Sequence, residues 1–401
     1  MTILILRTQL DNLSQTTKNK GYLLNMHNQI PVIKSPATNL KKIGKRACFQ
    51  LFALLAFTAP VNAADLKLTA PDGSTDDQFG HSVAISGNTA LIVSRYDDDN
   101  GENSGSTYLF ETTTGSLLHK FTAPDGFGED LGRSVALSGN KALIGSHGHS
   151  SSAYLFDTTT GSLLHKFTAP NGYAGDWFGW SLDLSSNKAL IGSRHDNENG
   201  SNSGSAYLFD TTTGSLLHKF TAPDASTGDQ FGYSVALSDN TALIGSWLDD
   251  DNGSNSGSAY LFDTNTGSLL HKFTAPDASP NDWFGYSVAL NDNAALIGSY
   301  LDDDNGESSG SAYLFDTTTG SLLHKFIAPD ASPNDWFGKS VALSDNTALI
   351  GSPLDNDNGY NSGSAYLFDT TTGNFLQKFT APDGSLGDVF GDSVALSGST
   401  V

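Results

Sequence analysis

The sequence predicts an all-β protein, a β-propeller of four-stranded antiparallel blades with six complete blades and an incomplete seventh in a ring of seven. An aromatic-glycine step recurs at intervals of 47 to 53 residues. Four short runs rich in Val, Ile, Tyr, Phe and Leu follow each complete step, with Gly, Asn and Asp between them. Helical periodicity is absent, and four strands in about 50 residues are typical of a propeller blade. The steps are Phe79-Gly80, the variant Leu131-Gly132, Phe178-Gly179, Phe231-Gly232, Phe284-Gly285, Phe337-Gly338 and Phe390-Gly391.

The segment before the repeats predicts an export leader. Basic residues at 41–46 precede a short apolar stretch at 47–60, and Val61-Asn62-Ala63 then forms an A-x-A-like cleavage site. We therefore expect a secretory signal peptide at residues 40–63 and a propeller at residues 64–401. Residues 1–39 are expected to be a disordered extension or to reflect a true start at Met26. The apolar stretch is too short to span a membrane, and no second one of spanning length follows.

Composition narrows the function classes. The 401 residues carry a formal net charge of −22, which becomes −29 without the leader. Because phosphate backbones are bound by clustered Lys and Arg, nucleic acid is excluded as the default partner. The one cysteine, Cys48, lies in the leader. The propeller must therefore gain its stability from its core, from metals, or from both rather than from disulfides.

Each unit contains four predicted strands, A to D. In the unit that begins at Phe231 they are Ser234–Ser238, Ala242–Ser246, Ser258–Asp263 and Ser268–Pro276. Runs A and D occur seven times, if Leu66–Pro71 is counted as a D run, whereas runs B and C occur six times. The N-terminal D run is expected to close the last blade, which lacks its two middle strands. We interpret the chain as a seven-bladed propeller truncated at its C-terminus.

The residues of one unit resemble the FG-GAP repeat. They are Phe231-Gly232-Tyr233-Ser234-Val235-Ala236, Ala242-Leu243-Ile244-Gly245-Ser246 and Gly257-Ser258-Ala259-Tyr260-Leu261-Phe262. The resemblance covers about residues 65–401. It implies the seven-bladed propeller of integrin alpha subunits and of many bacterial exported proteins, an extracytoplasmic binding or adhesion module that often holds calcium. Integrin calcium loops lie between the first two strands, where this chain has only short turns. The calcium ligands of the family therefore do not carry over by position.

The acidic residues are predicted to gather on one face of the ring. Successive antiparallel strands reverse direction, so the B→C and D→A loops share one face and the two other kinds of turn share the opposite one. Of the 42 acidic residues after the leader, 30 lie in the B→C and D→A loops. Such a face suits a calcium ion or a cationic partner.

The B→C loops are the candidate metal sites. Their pattern is acid, Asp or Asn, acid, Asn, Gly, and alternate carboxylates with an Asn carbonyl suit a hard cation such as calcium. An Asn-Gly hairpin turn with solvated acids explains the same pattern, and both interpretations stay open. The candidate ligands are Asp97, Asp99, Asn100, Asp249, Asp251, Asn252, Asp302, Asp304, Asn305, Asp355, Asp357 and Asn358.

A second recurring acid stands two residues before each Phe-Gly step. We expect its carboxylate to cap the turn into strand A rather than to join a cation loop, because Asp commonly bonds local backbone in turns. The six copies are Asp77, Asp176, Asp229, Asp282, Asp335 and Asp388.

Other candidate sites receive a structural interpretation. The sequence lacks the His-Glu-x-x-His and phosphate-loop motifs, so we expect no catalysis. Residues that depart from the repeat are attributed to drift between copies or to rim contacts with a partner. They are Arg95, Arg194, His195, Trp180 and Trp247. Trp177, Trp283 and Trp336 are interpreted as packing between blades. His147 and His149 offer too few ligands for a metal site.

These inferences predict an exported, non-catalytic propeller that presents an acidic face, bridged by calcium, to a partner. The partner is expected to be a protein or glycan at the cell surface or in the matrix, and the protein itself to be secreted or surface-bound. The alternatives are an accessory propeller of a longer secreted enzyme and a structural surface or matrix protein. The oligomeric state stays open.

Overall fold

The computed structural model describes residues 66–125, 130–148 and 151–398, and the backbone of Ile3–Ile5. Six sheets of four antiparallel strands follow one another along the chain, and in each sheet the spatial order is the sequence order A-B-C-D. This confirms the predicted all-β propeller with four-stranded blades. The only helical element among the described residues is a 3₁₀ turn at Ala174–Asp176.

The strands of blades 1 to 6 have these bounds. The A strands are Phe79–Ser86, Leu131–Ser138, Phe178–Ser185, Ser234–Leu237, Ser287–Leu290 and Ser340–Ser344. The B strands are Thr89–Ser94, Lys141–Ser146, Lys188–Ser193, Thr241–Ser246, Ala294–Ser299 and Thr347–Ser352. The C strands are Ser106–Glu111, Ser152–Asp157, Ser205–Asp210, Ser258–Asp263, Ser311–Asp316 and Ser364–Asp369. The D strands are Leu117–Thr122, Leu163–Phe167, Leu216–Phe220, Leu269–Phe273, Leu322–Phe326 and Phe375–Phe379.

Strands B and C form the buried middle of each blade. In blade 4 every residue from Ala242 to Ser246 and from Ser258 to Phe262 is buried, because both sheet faces pack against neighbouring blades. Strand D is the outer strand, and Leu269 and Leu270 are exposed there. Observed strand D is shorter than the predicted run and ends at Phe273, and a register shift between Leu261 and Phe262 interrupts its pairing with strand C.

The Phe-Gly step joins one blade to the next. Phe231 is fully buried and packs edge-on against Tyr260, with ring centroids 5.5 Å apart. The carbonyl oxygen of Gly232 accepts a 2.8 Å hydrogen bond from Ser181 Oγ of the preceding blade. The same bond recurs between Ser234 and Gly285. Close backbone approach at this step therefore sets the spacing between blades.

The two ends of the seventh unit do not pair with each other in a sheet among the described residues. Leu66 and Leu68 pack onto the core of blade 1, while Val394 and Leu396 pack onto blade 6. Leu66–Leu68 is a short strand paired antiparallel with Ile3–Ile5. The rest of the expected N-terminal extension and the expected signal peptide lie outside the described residues. No helix in the described part of the chain is long and apolar enough to cross a membrane.

Candidate ligand-binding face

Lysine side chains occupy the middle of the acidic loops. In blade 4, Lys272 Nζ lies 2.8 Å from Asp224 and 3.3 Å from Asp249, and it also contacts Asp251. The hydroxyl of Tyr260 donates to Asp249 at 2.6 Å and to Asp224 at 2.8 Å. Blades 1, 5 and 6 repeat the whole arrangement around Lys120, Lys325 and Lys378. Each such group is thus a carboxylate cluster with its own built-in cation.

Two blades vary this arrangement. In blade 3, Asn171 stands where the other D→A loops carry the Asp, and Lys219 contacts Asp196 and Glu198. In blade 2 the B→C loop is not acidic, and Lys166 contacts Asp125. The lysine is therefore kept in every blade while the number of its carboxylate partners falls from three to one.

The pKa values follow from these contacts. Burial by itself would raise the pKa of Asp72, but hydrogen bonds from Lys120 and Tyr108 outweigh it and lower that pKa to about 2. Burial likewise opposes the charge on Lys120, but its carboxylate partners raise the pKa of the ammonium. Both partners are consequently ionised across the physiological range.

The structure brings the predicted metal ligands together in part. Three groups of carboxylates have oxygens within 4.8 Å of one another, and each group combines the two predicted Asp of a B→C loop with an Asp of the D→A loop. They are Asp72, Asp97 and Asp99; Asp277, Asp302 and Asp304; and Asp330, Asp355 and Asp357. The Asn100 amide, by contrast, donates its Nδ2 hydrogen to the carbonyl of Ala123.

The carboxylate oxygens of these groups suit a cation. The lysine ammonium lies among them, in the place that a bound metal ion would occupy. Neither the lysine nor the Asp of the D→A loop is among the ligands predicted from the sequence. A signal for them was present, because each Lys follows the first Asp of its B→C loop at a constant 23 residues. Calcium binding stays a prediction that would require the lysine to move aside.

The Asp two residues before each step caps its own turn, as predicted. Asp229 accepts a 2.6 Å hydrogen bond from the backbone N–H of Ser226, and Asp282 accepts one from Ser279. The other four copies make the equivalent bond. Burial, with some repulsion from nearby acids, raises the pKa of Asp229 to about 6.

A second set of residues on the same face surrounds the central channel. Three positions of each unit contribute: the residue before the aromatic of the step, the residue after its glycine, and the residue after strand B. We call this set the mouth. In chain order its members are Gln78, His81, Arg95, Asp130, Arg133, His147, Trp177, Trp180, Arg194, Gln230, Tyr233, Trp247, Trp283, Tyr286, Tyr300, Trp336, Lys339, Pro353, Val389 and Asp392.

Aromatic rings run continuously along the mouth from blade 3 to blade 6. Trp177 stacks on Trp180, with centroids 5.1 Å apart, and Trp180 contacts Tyr233. The chain of contacts continues through Trp247, Trp283, Tyr286 and Tyr300 to Trp336. Except for Tyr300, these rings remain partly exposed. They form a surface that a ligand can stack on.

Cationic and imidazole side chains form the remaining part of the mouth. Arg133 and Arg194 lie over the Trp180 ring, at 3.7 Å and 3.8 Å from its centroid. Arg95 makes a two-point contact with Asp130. Burial, together with nearby arginines, lowers the pKa of His81 to about 4, so its imidazole is neutral at pH 7.

The mouth lies over a narrow channel. A cavity of about 340 Å³ extends inward from it between the A strands of all six blades and the segment at Asp392–Val394. The next residues inward are serines, several of which donate to glycine carbonyls of the following unit. The cavity is therefore polar at its entrance and lies on the axis of the ring.

Convergence at the mouth revises the interpretation of the residues that depart from the repeat. All five of them contact other mouth residues or, for His195, stack on Trp177 at 4.1 Å. They gather because equivalent positions of successive blades surround one axis, whichever residue occupies them. Trp177, Trp283 and Trp336 do contact the preceding blade, as expected, and also line the mouth. His147 lies in the mouth, whereas His149 falls outside the described residues.

Comparison with known proteins identifies the repeat. The family model described as the FG-GAP repeat matches residues 64–110, 162–209, 215–262, 268–315, 321–368 and 374–401, which together exceed half of the chain. The segment between the first two matches contains most of blade 2, which has the same four strands. No curated protein matches the chain.

Proposed function

The chain belongs to the FG-GAP repeat family, and from that premise we propose that it is an exported, non-catalytic binding module whose ligand is held at the mouth of the propeller. The ligand is proposed to be a glycan or protein of a cell surface or matrix. The six blades supply a rigid ring, and the loops of the acidic face surround the site that contacts the partner.

One observation carries this proposal: variation between the repeats is concentrated at the mouth. The sequence Ser-Ala-Tyr-Leu-Phe of strand C is identical in five of the six blades. The position after the step glycine, by contrast, carries six residue types in seven units: His81, Arg133, Trp180, Tyr233, Tyr286, Lys339 and Asp392. A purely structural ring has no need for different side chains at equivalent places around one opening, whereas an asymmetric ligand does.

Backbone conformation at the mouth supports the same function. The residue before each step aromatic has a left-handed φ, between 46° and 59°, in all seven units. Trp occupies it three times, although Gly or Asn adopts this conformation at lower cost. Costly conformations of this kind cluster at binding sites. The bulky side chains are thus placed at the mouth despite the strain.

The acidic groups are proposed to stabilise the face rather than to bind the partner directly. Their carboxylates are already satisfied by lysine and tyrosine within each blade. Calcium bridging of the partner, as the sequence predicted, would require these contacts to open. We regard lysine as the resident cation, and the calcium experiment in the Discussion decides between the two.

The main alternative is an accessory propeller of a longer secreted enzyme, and the other is a structural matrix protein. A structural matrix protein predicts no ligand at the mouth, so a binding experiment separates it from the proposal. A catalytic domain in a longer form of the chain would instead support the accessory propeller. The full-length protein is to be screened against arrays of cell-surface glycans and peptides. We expect a small set of related ligands to be retained.

The variants for this screen borrow residues from the chain's own repeats. The double variant Trp180→His and Tyr286→His places histidine after the step glycine of two units. The first unit has His81 at this position, so the double variant should preserve the fold. We expect the double variant to lose the ligands that the wild type retains. Leu217→His, at an exposed position of strand D, is the control and should retain them. Retention by the double variant, or no ligand for the wild type, would reject the mouth as the binding site.

A further inference from the structure

Two arginines of the mouth are partly buried and have no acidic partner among the described residues. The hydrogen bonds of Arg133 and Arg194 within the described part of the chain go to His81 and Gln230, and no ion pair to a carboxylate is formed there. The Nε–H groups of both arginines are buried and have no hydrogen-bond partner among the described residues. Arg95, in the same mouth, is paired with Asp130. The two arginines are therefore the exception on a face with a large excess of carboxylates.

This arrangement is costly for the free protein. A partly buried charge that lacks both a counter-charge and a full set of hydrogen bonds loses hydration that nothing replaces. Burial accordingly lowers the pKa of Arg194 to about 10. Stacking on Trp180 offsets part of the lost hydration free energy, because a guanidinium is attracted to the face of an indole ring. A bound anion would supply the missing charge and acceptors.

The aromatic part of the mouth limits what else this ligand contains. The contacts from Trp180 to Trp336 present partly exposed rings beside the two arginines. Sugar rings have apolar faces that pack on such aromatic surfaces, and their hydroxyls bond to polar groups around the edge. The cavity below, at about 340 Å³, falls at the small end of ligand sites.

From this juxtaposition we infer that the mouth binds an acidic carbohydrate, with its carboxylate or sulfate held by Arg133 and Arg194 and a neighbouring sugar ring stacked on the Trp and Tyr surface. This deepens the proposed function and rests on it. An acidic peptide would offer the same anion, but peptide recognition commonly adds a strand to an open sheet edge or seats a helix in a long groove. The mouth instead presents side chains around a ring.

The test uses four probes of matched length on the full-length protein. The first two are a tetramer of galacturonic acid and its uncharged methyl ester. The other two are a tetramer of an otherwise neutral sugar that carries sulfate groups, and a tetraglutamate peptide. Dissociation constants are measured by calorimetry at physiological salt. We expect at least one acidic tetramer to bind about tenfold or more tightly than the methyl ester, because the ester lacks the charge that the arginines compensate. The carboxylated and sulfated probes distinguish the two sources of the anion.

The matched variants are Arg133→Tyr and Arg194→Tyr. Tyrosine already occupies the equivalent repeat positions in other units, as Tyr233 and Tyr300 respectively. Each should weaken the acidic tetramer about tenfold or more while leaving the methyl ester unchanged. Lys188→Gln removes one positive charge from the opposite face and should have no effect. Circular dichroism and thermal melting confirm that each variant is folded. A variant that unfolds is replaced by Arg133→Gln or Arg194→Gln.

Three results would overturn the inference: equal binding of acid and ester, unchanged affinity in both arginine variants, or tetraglutamate binding as tightly as the sugars. If these probes fail while the array still finds ligands that depend on Trp180 and Tyr286, only the acidic-carbohydrate inference is lost. If the array also finds none, the proposed function is lost with it.

Discussion

A lysine in the middle of three carboxylates satisfies charges that would otherwise repel one another. Lys272 is mostly buried, and Asp249 beside it is almost fully buried. Removing one partner of such a group leaves the other charges desolvated and uncompensated, which is the destabilising case for buried ion pairs. The stability of each acidic loop therefore depends on a residue from strand D of the same blade.

The first prediction tests the equivalent lysine of blade 5 and the calcium hypothesis together, because the carboxylates around Lys325 form one of the three groups close enough to hold an ion. Lys325→Met should lower the free energy of unfolding by about 2 kcal/mol or more, because Asp277 and Asp302 lose their counter-charge. Calcium should then raise the melting temperature of this variant, since the vacated place suits a cation. Wild type should melt at the same temperature with calcium and with EDTA. Lys188→Met, on the opposite face, is the control. A clear calcium-dependent rise in the wild type would instead support metal binding in the native loops.

Asp183 is an acid among alanines in the channel. Alanine occupies the same repeat position in the other units, such as Ala236 and Ala289. The Asp183 carboxylate accepts hydrogen bonds from the backbone N–H groups of Leu184 and Leu237. Burial outweighs these bonds and raises the pKa of Asp183 to about 6.

The second prediction concerns the pH dependence that this residue causes. Below its pKa of about 6, Asp183 is neutral in the folded protein, and above that pKa the folded protein holds its charge against the effect of burial. The contribution of Asp183 to stability therefore falls as pH rises between about 4 and 6. Asp183→Ala should therefore stabilise the protein by about 2 kcal/mol at pH 7.5 relative to its effect at pH 4.5. Urea unfolding at both pH values measures this difference. Ala289→Asp should show the opposite sign, and an equal effect at both pH values would contradict the assignment.

Each step glycine connects the start of strand A to the adjacent blade. Gly232 has φ of +87°, and a Cβ there would lie 2.3 Å from the carbonyl oxygen of Ser205. Both the conformation and the contact exclude a side chain. Because the obstacle is backbone within a sheet, it cannot move aside without breaking strand pairing.

The third prediction follows from that contact. Gly232→Ala should destabilise the protein by about 3 kcal/mol or more, since strain and overlap add. Gly175→Ala is the matched control, because a Cβ at Gly175 meets nothing within 4 Å and its φ is not positive. The control should change stability by less than about 0.5 kcal/mol. Chemical denaturation measures both, and similar values for the two variants would refute the role of the step.

The ring is closed at the seventh position by a remnant of the same lysine contact. Lys67 precedes the sequence Leu-Thr-Ala-Pro-Asp much as Lys120 precedes Phe-Thr-Ala-Pro-Asp, and Asp383 occupies the repeat position of Asp330. Lys67 Nζ lies 2.5 Å from Asp383, so this pair repeats the contact between the lysine of strand D and the Asp of the D→A loop that five of the six blades make. Both side chains are about half exposed, at 48% and 57%.

The fourth prediction is that the molecule opens first at this closure. Exposed ion pairs contribute at most about 1 kcal/mol, so the seventh position should be the weakest contact of the ring. Hydrogen exchange should therefore be fastest for the amides of Leu66–Leu68 and of residues 390–398, and slowest in strands B and C of blades 3 and 4. Lys67→Met should accelerate exchange at the closure alone. Uniform exchange around the ring would show that the closure is as stable as the blades.

Much of this molecule follows from local sequence. The period of the Phe-Gly step, the alternation of the four runs and the position of the turn residues determine six four-stranded blades, and strand direction then places the acidic loops on one face. The caps at Asp229 and its equivalents follow in the same way, because the carboxylate bonds backbone three residues away. These features depend on neighbours in sequence, so they can be predicted from it.

The tertiary structure decided what the residues on that face do. Lys272 meets Asp224 across 48 residues, and Arg133, Trp180 and Tyr233 come from three different blades. Sequence spacing gives no distance between such residues, since their separation depends on how the blades pack around the axis. The same carboxylates therefore suggested a calcium site in sequence and hold a lysine in the folded ring. Residues that looked like drift between copies became neighbours once the ring closed around its channel.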